Sequence, residues 1–244
     1  MKRQILEVSG TDAAKFLGDL VTNALPSEGA LTYAALLSPQ GKYLADFFLL
    51  KRGDAYWVDV DAGLAAKLAQ RLTMYRLRAD VTIAPLDVAV ATGLSDAPAS
   101  ALPDPRHPDM GWRDYDGAAG HEVDWDALRV AHIIPQTGVE LIPDDSYILE
   151  MGFERLNGVD FKKGCYVGQE VTARMKHKTE LRKGLARVLL SDAVPVGSTI
   201  TAGDKEVGTI FTQSRDQALA YIRFDRAKGV MQAGSAEVTL DLIP

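Results

Sequence analysis

Residues 31–92 constrain the fold more than any other part of the chain. Leu31 to Leu37 alternates and clusters as a strand should, and Ser38-Pro39-Gln40-Gly41 follows as a turn. Tyr43 to Leu50 reads as a second strand, Lys51-Arg52-Gly53-Asp54 as a hairpin loop, and Tyr56 to Val60 as its partner. Gly63 to Tyr75 then carries Leu64, Leu68, Leu72 and Tyr75 on one helical stripe. Strands follow at Val81–Ile83 and Val88–Thr92. Hairpins joined directly before a single helix give antiparallel pairing, so the class is α+β and not a parallel nucleotide fold. No Gly-rich phosphate loop of the dinucleotide or P-loop kind is present.

The chemistry is concentrated in Phe161-Lys162-Lys163-Gly164-Cys165-Tyr166-Val167-Gly168-Gln169-Glu170, continued by Val171-Thr172-Ala173-Arg174. It holds the chain's single cysteine. A lone cysteine is most often a small buried hydrophobe. Two preceding lysines and two flanking glycines argue instead for an accessible thiol. From Gln169 the pattern turns helical, and Glu170 and Arg174 stand four apart, acid before base, in the favourable order for a salt-bridged pair. Cys165 is therefore expected just before a helix N-terminus, where free N–H groups, the helix dipole and the lysines lower a thiol pKa. Gly164 and Gly168 are expected to allow positive φ or a close backbone approach.

One cysteine excludes an internal disulfide framework and a self-contained iron–sulfur cluster, which needs several thiolates. His107, His121, His132 and His177 show no metal-ligand spacing, so no metal site is expected. No apolar run is long enough to span a membrane. The start, Lys2-Arg3, lacks the uninterrupted apolar run of a secretory signal, and a cytoplasmic protein is expected. A net charge of −6 speaks against nucleic acid as a partner of the whole chain. Charge is uneven, however. Lys162 to Arg187 holds eight Lys or Arg against Glu170 and Glu180, a surface suited to an anionic ligand or acidic partner.

The rest of the chain frames these parts. Ile5 to Val8 reads as a strand, and Ser9 to Asp12 starts a helix with Phe16, Leu17, Leu20 and Val21 inside. Asp96 to Gly120, with four prolines, reads as a loop-rich surface connection containing a short strand near Trp112 and Tyr115. Asp124 to Ile134 reads as a helix with Trp125, Leu128 and Ala131/His132 inward, and Ile142-Pro143-Asp144-Asp145 as the cap of another, running to Leu156. Five short strand-like runs, Leu185–Leu190, Thr199–Ala202, Val207–Gln213, Ala218–Arg223 and Ala236–Leu242, suit a small antiparallel barrel. Two domains are expected: residues 1–183, in two lobes with a loop-rich junction near 96–120, and a barrel over 184–244.

Lys163-Gly164-Cys165-Tyr166-Val167-Gly168-Gln169-Glu170 resembles the signature of the YgfZ-type folate-binding proteins of iron–sulfur cluster assembly. These are related to the aminomethyltransferase (T-protein) of glycine cleavage. Thr172 to His177 and Leu181-Arg182-Lys183 resemble the branch that includes the mitochondrial assembly factor. The resemblance implies an aminomethyltransferase-like folate-binding fold, antiparallel sheets with flanking helices, and a small C-terminal barrel. It implies tetrahydrofolate or a related folate as ligand, and iron–sulfur assembly proteins or client enzymes, with [4Fe–4S] targets, as partners. Cys165 would be the functional thiol, and Lys163, Gly164, Tyr166, Gly168, Gln169, Glu170 and Arg174 its support, with Tyr166 a further candidate to touch the ligand. Asp46 would hydrogen-bond a pterin, a solvent-facing acid being the alternative. Arg129 would meet a folate's glutamyl tail, a surface ion pair being the alternative. Ala45 and Ala131 stand where aminomethyltransferases carry acids, and Ile133 where a glycine is common. The missing acids argue against a true aminomethyltransferase, although a folate-dependent aminomethyl or methyl transfer is the second reading. A pure interaction module is the third.

Overall fold

A computed structural model describes residues 2–178 and 181–243. The first strand, β1 (Arg3–Ser9), is followed by the short helix α1 (Ala13–Gly18). Then come β2 (Leu31–Leu37), β3 (Tyr43–Arg52), β4 (Ala55–Asp61), helix α2 (Ala62–Arg76) and β5 (Thr82–Leu86). These five strands form one antiparallel sheet in the order β2-β3-β4-β1-β5. The hairpin is tighter than the sequence suggests: β3 runs to Arg52 and turns over Gly53 and Asp54. Asp61 caps α2 by accepting from the Gly63 N–H at 2.8 Å. Leu64, Leu68 and Leu72 then bury the expected stripe, and the helix lies against β1, β3, β4 and β5.

The segment expected as a surface loop is the clearest departure. Besides β8 (Trp112–Asp114), the short strand expected near Trp112, it holds β7 (Leu102–Pro103) and a 3-10 turn (Pro108–Met110), and with β6 (Ala91–Gly93), just ahead of it, it forms a three-stranded sheet in the order β6-β8-β7. Met110, Trp112, Arg113, Asp114 and Tyr115 are buried in it. Pro103 ends β7 and Pro108 opens the 3-10 turn, where no ladder N–H is needed, and Pro98 and Pro105 lie in the turns beside them. Pro density therefore marked short edges and not a solvated connection.

Helix α3 (Trp125–His132) is capped by Asp124, which accepts from the Ala127 N–H at 3.0 Å. Its buried residues are Arg129 and Val130, while Trp125 and Leu128 are only partly covered. Ile133 ends it at φ +51°, the left-handed conformation that glycine adopts at lower cost, and its burial compensates for that strain. The helix expected from Ile142 to Leu156 is absent; successive turns fill residues 143–157, with Ile148, Met151, Phe153 and Leu156 reaching the core. Apolar residues spaced this way serve consecutive tight turns as well as a helix, and Gly152 at φ +78° breaks the helical backbone.

Helix α4 (Gln169–Lys178) leads toward the closed barrel. Its strands are β9 (Lys183–Leu190), β10 (Thr199–Ala202), β11 (Lys205–Ser214), β12 (Gln217–Arg223), β13 (Met231–Ala233) and β14 (Ala236–Leu242). Their order round the barrel is β10-β11-β12-β9-β14-β13, closed by Thr201 opposite Gln232. Strand β13, three residues long, was not legible in the sequence. Val188, Ile200, Ile210, Ile222, Met231 and Val238 fill the barrel. Leu185 and Leu219 pack instead with the main core, so the barrel's outer wall and the first sheet share one apolar body.

Candidate functional site

Strand β3 is buried along both faces, and Asp46 is 7 % exposed on it. An apolar strand admits a carboxylate only if its oxygens are satisfied. Here the Tyr33 hydroxyl donates to Oδ2 at 2.9 Å, and the hydroxyls of Tyr43 and Thr137 lie 2.7 and 2.5 Å from Oδ1. Tyr43 and Thr137 are also 2.8 Å apart, so two hydroxyl protons serve three contacts. Burial, reinforced by the Asp46 charge, pushes the Tyr33 and Tyr43 phenols up and keeps them as donors. A carboxylate offers about four lone-pair positions. Oδ2 of Asp46, with one donor in place, has room for one more.

Asp46 lies on the wall of a 520 Å³ cavity, within the range of small-molecule sites. Asp46 and Phe48 of β3, Arg3 of β1 and residues 123–137 around α3 supply part of the lining. The proline-rich segment between β6 and β8 supplies Asp104, Arg106 and Met110, and β8 itself Arg113. Four arginines and four aspartates stand on the wall. Most of them are interlocked. Asp59, fully buried, accepts from Arg3 Nε at 2.6 Å, from Arg113 Nη1 at 3.1 Å and from the Tyr115 hydroxyl at 2.9 Å. Arg113 Nε continues to Asp104 at 3.2 Å, and Arg106 grips Asp104 with Nε and Nη2 at 3.0 and 2.8 Å. The Arg113 and Arg106 guanidiniums lie 3.7 and 4.9 Å from the centre of the Phe48 ring.

Burial alone would raise the Asp104 carboxyl, but Arg106 and Arg113 hold it at about 2 against an ordinary 3.8. A depressed folded pKa contributes stability that is whole above about pH 4 and disappears as pH falls toward 2. The displacement corresponds to roughly 2 kcal/mol. Urea unfolding followed from pH 4.5 to 2.5 should therefore be less steeply pH-dependent in Asp104→Asn than in wild type. Parallel profiles would remove Asp104 from this role.

Arg129 is at the cavity but is not free to meet an anionic tail as expected. Buried in α3, it donates through Nη1 to Glu140 at 3.0 Å and through Nη2 to Asp126 at 2.9 Å and to the Thr212 hydroxyl at 2.7 Å. Only Nε has no hydrogen-bond partner. Neither is it a surface ion pair: it ties α3 to barrel strand β11. Glu140, 1 % exposed and not foreseen, also accepts from the Gln136 N–H at 2.9 Å and contacts the Thr212 hydroxyl at 2.5 Å. Ala45 and Ala131, where acids were expected to be missing, do not line the cavity.

The cysteine segment is a second, separate site. Cys165 is exposed, and none of residues 161–174 lines the cavity. Its neighbours are fixed. Lys163 Nζ donates to the carbonyls of Gly18 and Val21 at 2.7 and 2.6 Å, at the end of α1, and burial lowers its pKa. This lysine is thus an anchor and not a partner of the thiol. Tyr166 is buried beneath it, its ring centre 5.0 Å from Nζ, with its phenol pushed by burial up to about 12. It supports the loop and does not reach a ligand in the cavity. Gly168 has φ +83° and packs against the backbone at Ser38, in the turn before β3. Gly164 has an ordinary φ, and a Cβ added there would meet nothing within 4 Å, contrary to expectation. Gln169 closes a turn to the Tyr166 carbonyl at 3.2 Å and opens α4, so Cys165 precedes the helix by one turn. Thr172, buried, returns a bond to the Gly168 carbonyl at 3.2 Å. Among the described residues no ion pair joins Glu170 to Arg174, contrary to the pairing their spacing suggests.

Comparison with known proteins places this architecture. Residues 182–244 match the family model described as CAF17, C-terminal beta-barrel domain. Over its whole length the chain is similar to the iron–sulfur cluster assembly factor IBA57, mitochondrial, of Mus musculus, at 30 % identity covering 98 % of this chain and 80 % of the relative. The Homo sapiens protein of the same name is 30 % identical over 96 % of this chain and 79 % of its own. Among solved structures, aminomethyltransferase T of the glycine cleavage system from Bartonella henselae shares the fold, with a TM-score of 0.71, 11 % identity, and coverage of 99 % of this chain and 83 % of that one. The α+β aminomethyltransferase-like fold with a C-terminal barrel is thereby established. The cytoplasmic expectation is corrected, because these relatives are named as mitochondrial. A 30 % identity that spans nearly the entire chain, barrel included, makes this protein a member of the IBA57 family of iron–sulfur cluster assembly factors.

Proposed function

We propose that this protein assists the assembly or repair of iron–sulfur proteins, with [4Fe–4S] enzymes as clients, by presenting the Cys165 thiol, and that its cavity holds tetrahydrofolate or a related folate. The observation that carries the first part is the contrast within the motif: Lys163, Tyr166 and Gly168 are anchored while the cysteine between them is exposed. A single thiolate supplies one ligand to a cluster, and the others come from the assembly protein or client that shares it. The cluster is cargo here. Lys163, Lys176, Lys183 and Arg187 of the basic run are engaged within the chain, and the exposed Lys162, Arg174 and Arg182 suit an acidic docking face on that partner.

The likeness to YgfZ-type proteins supports the folate part, and the cavity's residues fit such a ligand. The open position on Asp46 Oδ2 suits an N–H donor of a pterin, and Trp125 offers an aromatic face. Bound folate would supply one-carbon chemistry; the residues around it bind and orient. The aminomethyltransferase reading is disfavoured by the occupancy of the wall. Asp104 and Asp126 are paired with arginines and Asp124 caps a helix, which leaves Asp46, itself held by three hydroxyls, as the wall carboxylate with an open position, fewer than an acid–base pair requires.

The test is depletion of the protein followed by re-expression of wild type or Cys165→Ala, with a [4Fe–4S] enzyme and a cluster-free enzyme assayed side by side. Selective loss rescued by wild type alone is the expected result. Rescue by both would make the cysteine structural, and no selective loss would overturn the assembly role. Calorimetric titration of tetrahydrofolate into wild type and Asp46→Asn decides the cavity separately, with weakened binding in the variant expected. Turnover of folate with an amine donor would favour the transferase.

A further inference from the structure

Outside both sites, the fold brings together three side chains that are dispersed in sequence. His107 caps the 3-10 turn between β7 and β8, Asp109 lies within it, and His132 is the last residue of α3. Nε2 of His132 lies 3.1 Å and Nδ1 of His107 3.8 Å from the same oxygen, Asp109 Oδ2. One ligand atom from each residue falls within 4.8 Å of the others. We propose that His107, Asp109 and His132 form a binding site for a divalent first-row transition-metal ion.

The chemistry and spacing suit such an ion. A tetrahedral ion with nitrogen and oxygen bonds near 2.1 Å sets its ligand atoms about 3.4 Å apart, close to the two observed separations. Two imidazoles and one carboxylate favour zinc, cobalt or iron over magnesium or calcium, which take oxygen. The Asp109 N–H donates to His107 Nδ1 at 3.2 Å, so this nitrogen is the unprotonated one, and an ion bound there would replace that N–H on its single lone pair. The two rings are stacked, with centroids 3.9 Å apart. In-plane lone pairs of stacked rings do not meet at one point, so metal binding requires His107 to rotate about its broad χ2 torsion, which unstacks the ring and releases Nδ1 from the Asp109 N–H. The side chains of His107, His132 and Asp109 are partly exposed, at 32, 21 and 61 %, which permits that rotation and leaves further coordination positions open.

The backbones that carry the ligands are held. Arg155 donates to the carbonyls of His132 and Ile133 at 2.9 and 2.7 Å, fixing the end of α3. Met110 anchors the 3-10 turn in the core. Arg106 and Met110 line the cavity on either side of His107 and Asp109, which do not. The ion would therefore bridge α3 to the segment that walls the cavity while remaining outside it.

Tag-free protein titrated with Co²⁺, read by its d–d absorption, and with Zn²⁺, read by calorimetry, tests the site. Cys165→Ser is run in parallel because a free thiol also takes these ions. Wild type and Cys165→Ser are expected to bind one ion alike, with Asp109→Asn and His132→Gln each weakening it by at least about tenfold. Asp109 is largely exposed, so its variant leaves the fold intact for the measurement. Mg²⁺ should not compete. Binding lost in Cys165→Ser but retained in the histidine variant, or binding only at millimolar metal, would overturn the site.

Discussion

Replacing Glu140 by alanine is expected to cost the fold about 3–5 kcal/mol, the penalty of leaving a buried charge without its partner. The carboxylate is almost wholly buried and serves Arg129, the Gln136 N–H and Thr212 at once. Its removal leaves the Arg129 guanidinium with only the exposed Asp126 carboxylate opposite it. It also strips the N–H of Thr212, which reaches Glu140 at 3.2 Å, of its acceptor. Against a total stability of about 5–15 kcal/mol, this is a large fraction. Equilibrium urea unfolding is the measurement, and a loss under about 1 kcal/mol would refute the ion pair's role. Pairing Glu140→Leu with Arg129→Met should recover much of the loss, because the penalty comes from the stranded charge.

The second large effect is a contrast between the two motif glycines. Gly168→Ala should destabilise by at least about 2 kcal/mol, since it adds left-handed strain to overpacking. A Cβ there would come 2.6 Å from the Ser38 carbonyl and 2.9 Å from Leu37 Cβ, neither at the end of a flexible side chain. The turn at Ser38 and the cysteine loop must then separate. Gly164→Ala, one residue before the cysteine, should stay within about 0.5 kcal/mol of wild type, as open positions do. Thermal melts measure both, and alkylation rates of Cys165 report whether the loop has moved. Equal melts for the two variants would show that the contact at Ser38 is not a constraint.

These two cases also show what the sequence could and could not convey. The hairpin strands, α2, α4 and most barrel strands were legible because their apolar residues recur with one period over several residues. Strands β7 and β13 were not, because strands of two or three residues carry no period; β6 and β8 were only approximated by the strands read at Val88–Thr92 and near Trp112, and their pairing was not seen. Asp46 stood out as an acid in an apolar strand. Asp59 and Asp104 did not, since their partners Arg3, Arg113 and Arg106 come from other strands and the turn between them. The motif announced its cysteine correctly as accessible, yet local spacing assigned Lys163 to the thiol when a distant helix end holds it. Glu140 and the His107, Asp109 and His132 cluster depend wholly on tertiary closure.

The balance of charge on the cavity wall has a kinetic consequence. Four arginines and four aspartates, matched in number, leave little net field to draw an ion in from bulk solvent. Entry would be governed by diffusion and shape, with an on-rate that changes little with ionic strength. Selection among ligands then rests at contact range, on single atoms such as Asp46 Oδ2, and a charged competitor gains no advantage during its approach.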